Sequence, residues 1–223
     1  MTPAIPRSRS LPYWLVAPLV AFLITRLVVF AGAYLSDIAL PMVTNDEARG
    51  AIAIWNRWDT GWYVEIVDKG YSLTPGEKSS VAFFPLYPLL VSIIKPITGN
   101  TVAAGLLISN ISFLAALIFL YRLTEAKFES RTTAGRTVFY IASFPTAFFF
   151  TAAYTESLFL LLSLGTAYYA HQRQWGWAAV CGVLCAATRS FGVLIWILVV
   201  AEWLSMHGWT MSAIRQSDSW KNL

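Results

Sequence analysis

A chain of 223 residues that is 57% hydrophobic and only 13% charged is too apolar for an ordinary soluble domain. Its net charge of +4 is what cytoplasmic loops of a membrane protein collect as Lys and Arg, and is no sign of a nucleic-acid partner. Two cysteines one helical turn apart, Cys181 and Cys185, read as small packing residues. His171 and His207 lie near predicted helix ends without a ligand pattern, so neither a metal nor another cofactor is expected.

The fold expected is all-α: a polytopic transmembrane helical bundle in a single membrane domain, 1–223. The first span is 13–35. Arg7 and Arg9 before it place the N-terminus in the cytoplasm. This apolar run is too long for a cleavable signal peptide and lacks a small-residue cleavage site. A mixed segment, 36–102, follows as an extracytoplasmic loop with interfacial helices. It contains the aromatic run WNRWDTGWY (55–63), a polar turn from Thr74 to Ser80, and AFFPLYPLLVSIIKPI (82–97). That last run carries Pro85, Pro88, Pro96 and Lys95. If it crossed, the Arg- and Lys-bearing loop 122–136 would land outside. It is therefore placed in the interface or as a re-entrant segment. The later spans are 103–121, 137–152, 156–170, 175–188 and 191–206, leaving Arg215 and Lys221 in the cytoplasm. Asn110-Ile111-Ser112 matches a glycosylation acceptor but lies inside an apolar run and is read as chance.

Plotted as a helix, 55–66 gathers Trp55, Trp58, Trp62, Tyr63 and Ile66 on one face, with Asp59 inside it. An unpaired carboxylate there is costly to bury and would have its pKa raised by desolvation. The layout puts three polar features on the outer side: Asp59, the turn Tyr154-Thr155-Glu156, and the turn Arg189-Ser190. The last two spans hold about 15 residues each, about 22 Å at helical rise, so the Arg189 turn is expected below the outer surface. Arg26, deep in the first span, is a second cation on that half. One carboxylate beside arginines at the outer face suits attack of an acceptor hydroxyl on a sugar carried by a lipid phosphate. Asp59 would be the general base, and an arginine would stabilise the leaving phosphate. A single base without a covalent nucleophile implies inversion.

Each assignment has a structural alternative. The tryptophans fit an interfacial belt, and Asp59 fits a helix cap or ion-pair partner. Arg26 fits a snorkelling or paired cation, and Arg189 with Glu156 fits a structural bridge.

Four segments in order, WNRWDTGWYVEIVDKGY (55–71), AFFPLYPLL (82–90), FPTAFFFTAAYTESLFLLLSLG (144–165) and AATRSFGVL (186–194), resemble the PIG-V family. That family is the second mannosyltransferase of GPI-anchor assembly with its bacterial relatives, in the GT-C class. The resemblance runs from about Arg26 to Trp203. It implies a GT-C-like bundle and inverting transfer of mannose, or a similar hexose, from a polyprenyl-phosphate donor to a lipid or glycolipid acceptor on the extracytoplasmic or lumenal side. Trp58 and Asp59 match the family's acidic motif, and Glu156, Arg189 and Ser190 match its later motifs. Asp59 is thus the expected catalytic residue, with Trp58, Arg26, Glu156, Arg189 and Ser190 as substrate contacts. Phe191 stands where relatives often carry Asn. The chain is shorter than family members and is expected to be the N-terminal part, in a bacterial plasma membrane or the ER membrane. Two other functions use the same features: a transporter or flippase of a lipid-linked or anionic solute, and a non-catalytic fragment paired with a second membrane subunit.

Overall fold

A computed structural model of the protein describes residues 12–39, 52–73, 75–76 and 78–206. His207, Arg7, Arg9, Arg215, Lys221 and Thr74 therefore lie outside the described residues. The described residues form eight α-helices and short 3-10 segments, with no strand among them. The helices are α1 (Tyr13–Ala39), α2 (Asp59–Lys69), α3 (Leu86–Thr98), α4 (Thr101–Phe128), α5 (Arg131–Ser143), α6 (Glu156–His171), α7 (Trp175–Ala186) and α8 (Ile195–Met206). Helices α1 and α4, of 27 and 28 residues, are long and apolar enough to cross a bilayer. Leu27 and Val28 of α1 are 72% and 65% exposed, which suits lipid as the surrounding solvent. This is an all-α membrane protein.

Capping sets several boundaries. Gly99 ends α3 in the left-handed conformation, and the Asn100 side chain accepts the Ala103 amide at 3.0 Å to open α4. Ser130 caps α5 in the same way through Thr133. Two of the expected spans are not single helices. The segment 137–152 breaks at Phe144-Pro145, where α5 gives way to a 3-10 segment, Pro145–Phe150. Proline lacks the amide that would continue the ladder. The segment 191–206 begins as a 3-10 turn, Ser190–Leu194, before α8. The aromatic run is not one helix either. Trp55 lies in a separate 3-10 turn, Ala53–Trp55, and α2 starts only at Asp59. The single aromatic face around Asp59 does not form.

Helix α4 is the central post, packing against α6, α5, α3 and α1. Two buried clusters divide it. One, with Tyr63, Tyr87, Val91, Ile108, Tyr154 and Leu158, fills the end reached by α2 and α3. The other, with Ala21, Phe113, Leu117, Tyr121 and Val138, fills the opposite half. At that far end Glu202 of α8 binds both Lys127 (2.9 Å) and His171 (2.7 Å), tying together the last turns of α4, α6 and α8. His171 thus has a carboxylate partner that its sequence neighbourhood did not announce. Asn110 spends its amide inside the bundle, on Leu106 O (2.8 Å) and Thr151 O (3.2 Å). Cys185 is buried against Ser163, and Cys181 lies under Gly165, as packing residues do.

Candidate active site

Start from the backbone around Asp59. The Thr60 amide bonds to Arg57 O at 3.1 Å, closing a four-residue turn. Trp58 sits at its second position with φ 47° and ψ −122°. Those are the angles of a type II′ turn, a place glycine normally takes. Strain of this kind persists only where the surroundings over-determine it. Trp58 points outward, 76% exposed. Asp59 is the first residue of α2 and is itself exposed. The burial on which a desolvated carboxylate was expected is absent. The two structural alternatives for Asp59 also fail among the described residues. Its side chain neither caps α2 nor joins an ion pair.

Hydrogen bonds between distant segments hold this turn in place. The Tyr154 hydroxyl donates to Arg57 O (3.1 Å), while its ring stacks on Phe149. The carbonyl of Tyr154 accepts from Ser109 Oγ (3.1 Å), and Ser109 meets the Tyr87 hydroxyl (3.0 Å). The Leu86 amide donates to Ala187 O (3.1 Å), joining the start of α3 to the turn after α7. That turn doubles back tightly. A Cβ on Gly192 would lie 2.2 Å from Cys185 O, so only glycine fits there. All four segments singled out in the sequence are thereby locked together.

They enclose one cavity of about 170 Å³. Asp59, Tyr63, Tyr154, Thr155, Glu156, Arg189 and Ser190 contribute to its wall, with Phe83 and Phe84 closing one side. Arg189 pairs with Glu156 through Nη1, which also reaches Thr155 Oγ1 at 3.2 Å. Burial pushes the Tyr63 phenol up to about 12, with the Thr155 hydroxyl pulling the other way. Tyr63 therefore remains a neutral hydrogen-bond donor at physiological pH. Ser109, which meets Tyr154, lies eight residues into α4, about 12 Å of helical rise. The cavity is recessed by about that much from the first turn of α4, and its irregular backbone is walled by protein.

The structure thus brings together Asp59, Glu156, Arg189 and Ser190. Trp58 lies at the edge, on a second, mostly apolar groove of about 450 Å³ lined by Val28, Val29, Ala33, Ile54 and Trp55, with Asp37 and Arg57 also on its wall. Tyr154 is a wall of both spaces. Arg26 does not join them. It is 4% exposed, with Nη1 on Thr151 Oγ1 (2.5 Å) and Ala147 O (3.4 Å) and its guanidinium 4.6 Å from the Phe113 ring centre. Its charge is absorbed by carbonyl and hydroxyl groups of the broken segment after α5. It is a positioning residue for the loop that delivers Tyr154, Thr155 and Glu156, not a wall of the cavity. Tyr63 and Tyr154 also line the cavity; the sequence reading placed Tyr63 on the aromatic face and Tyr154 in the outer turn without giving either a role. Tyr154 was visible only as the residue before Thr155-Glu156.

The fold and site define a helical membrane protein with a recessed carboxylate–guanidinium cavity opening beside an apolar groove. The chain belongs to the PIG-V mannosyltransferase family, whose model, Mannosyltransferase (PIG-V), matches residues 7–214. It is similar to GPI mannosyltransferase 2 of Schizosaccharomyces pombe, at 28% identity over 181 residues, or 78% of this chain. The aligned part is 38% of that relative's length. No solved structure matches the chain.

Proposed function

We propose that the chain carries the reaction centre of an inverting glycosyltransferase. It moves mannose, or a similar hexose, from a polyprenyl-phosphate-linked donor to a lipid- or membrane-associated acceptor on the extracytoplasmic or lumenal side. The observation that carries the reading is the division of labour in one cavity. Glu156 is neutralised by Arg189, while Asp59 shares the same space with no side-chain partner among the described residues. Asp59 is thus the carboxylate available to accept a proton.

In the reaction, the acceptor oxygen forms a bond to the anomeric carbon from the face opposite the phosphate. The carbon–oxygen bond to phosphate breaks, and polyprenyl phosphate leaves with the electron pair. Asp59 takes the acceptor's hydroxyl proton. Arg189 Nη2 and Nε make no bond to the protein among the described residues, so they remain to meet the phosphate oxygens. Ser190 and Tyr63 add neutral donors to the same wall. The apolar groove meeting the cavity at Tyr154 supports a donor with a charged head and a hydrocarbon tail.

Asp59→Asn is isosteric at an exposed position with no side-chain bond among the described residues, and so tests chemistry apart from folding. With a polyprenyl-phosphate-mannose donor in detergent, without any gradient, transfer falls to background while the melting temperature holds. Normal turnover by this variant removes Asp59 from the base role. Donor that is bound but moved only across a sealed bilayer, without bond cleavage, favours a transporter instead.

A further inference from the structure

At the end of the bundle opposite the cavity, α1 and α5 part to leave a groove of about 620 Å³. Its floor is hydrocarbon, from Val16, Val20 and Ile24 of α1 and Phe139 of α5. Its mouth is cationic, with Arg131 and Arg136, and no acidic residue lines it. Arg131 uses only Nε on Glu125, at 3.1 Å, and its side chain is 76% exposed. Arg136 forms no ion pair among the described residues. Gly135, between them, has open space where a Cβ would stand. Tyr13 and Tyr140 complete the lining. Nearby, the Arg122 guanidinium lies 5.2 Å over the Trp14 ring and 5.4 Å over that of Tyr168. Such a mixture of aromatic rings and cations at helix ends marks the level of lipid head groups.

We propose that this groove binds one anionic phospholipid of the leaflet opposite the transferase cavity. Its phosphate meets Arg131 and Arg136, and an acyl chain lies along Val16, Val20 and Ile24. Charge complementarity selects the occupant. A zwitterionic lipid would satisfy the apolar floor but bring its own cation against Arg136 and the remaining nitrogens of Arg131, whose Nε is held by Glu125. Residues 1–11 carry Arg7 and Arg9 and no acid, so that stretch of sequence offers no complementary charge. The cytoplasmic leaflet carries the anionic lipids of most membranes, and the Lys and Arg at this end place it there. The site stands on the groove and its charges, independently of the transferase reading.

The test is native mass spectrometry of the full chain in detergent, titrated with dioleoylphosphatidylglycerol or dioleoylphosphatidylcholine. Two basic side chains near a head group give the wild type about a 30-fold preference for the anionic lipid. R131Q/R136Q brings the two affinities within about twofold of one another. Gly135→Leu fills the groove without changing charge, and it lowers occupancy by both lipids. Arg173→Gln, which removes a charge at the same end outside the groove, leaves the preference intact. An unchanged preference in R131Q/R136Q, or an equal loss in Arg173→Gln, overturns the site. So does equal binding of the two lipids by the wild type.

Discussion

Removing one oxygen from Tyr154 separates the positioning of Asp59 from the stability of the bundle. In Tyr154→Phe the ring still stacks on Phe149 and still walls both cavity and groove. What disappears is the 3.1 Å bond to Arg57 O. That carbonyl keeps its bond from the Thr60 amide, so no acceptor is orphaned. The direct cost is therefore at the lower end of the net value of a neutral hydrogen bond, about 0.5 kcal/mol. The consequence for the turn is larger. Trp58 holds a conformation that costs about 1–3 kcal/mol in a non-glycine residue, and the Tyr154 hydroxyl is the long-range bond restraining it. Released, the turn relaxes and carries Asp59 with it. A displacement of about 1 Å at a reacting group costs on the order of a hundredfold in rate. The expected result is a fall in kcat of about 10- to 100-fold. The melting temperature, followed by the fluorescence of the ten tryptophans, moves by no more than about 2–4 °C. A kcat within about twofold of the wild type would refute the positioning argument. So would a loss of activity that merely follows the folded fraction.

Gly192→Ala forces a Cβ against the Cys185 carbonyl, which is backbone and cannot turn aside. It destabilises the α7–α8 turn by about 1–3 kcal/mol or more, read as a lower melting temperature, and an unchanged one refutes the close approach. Arg26→Met strips Ala147 O and Thr151 of their buried donor and lowers stability, about 1–3 kcal/mol for each acceptor left unmet. Arg26→Lys restores part of it, and a wild-type melting temperature in Arg26→Met would show that the contacts carry no weight. Asp68 accepts from Lys95 Nζ (2.8 Å) and Thr101 Oγ1 (2.7 Å), which hold its carboxyl below the ordinary aspartate value of 3.8. A depressed folded pKa gives stability that is present above the unfolded value and lost as pH falls through the folded one. Asp68→Asn is therefore less stable than the wild type at pH 6, and the gap closes well below pH 3.8. A gap of constant size across that range would dismiss the ion pair.

The convergence of Asp59, Glu156 and Arg189 was legible because each lies at a helix boundary, and counting crossings puts those boundaries at one end. Charge bias and helix length supply that count without any tertiary contact. The shape of the aromatic run was not legible. A periodicity plot assumes a continuous helix, and Trp58 interrupts it with a turn that its own residue type disfavours. The Tyr154 bond, spanning 97 positions, is a long-range restraint on that conformation, and such a bond has no local signature. Arg26 was recognised as an intramembrane cation, but pattern alone assigns it to a cavity or to protein carbonyls equally well. The discriminating signal was Pro145. A proline that breaks a membrane helix leaves carbonyls without partners, and a buried guanidinium is one way to satisfy them.

Charge arithmetic explains why the site sits where helices begin. Asp59, Glu156 and Arg189 together give the cavity a formal charge of about −1, which alone would repel a phosphate. Asp59 opens α2 and Glu156 opens α6, while Phe84 lies just before α3. Residues at or just before three helix starts therefore line one space, and a helix N-terminus is equivalent to about half a positive charge. The sum of the three, about +1.5, exceeds the deficit and leaves the cavity hospitable to a singly charged phosphodiester. The same N-termini interact favourably with both carboxylates, so Asp59 can remain unpaired without being buried against an apolar wall. Reversing any one of these helices would replace about +0.5 with about −0.5, a change of about one charge that tips the balance toward exclusion of the anion. In the proposed reaction a carboxylate base and a phosphate can share this cavity because backbone dipoles, rather than a second free arginine, supply the remaining positive charge.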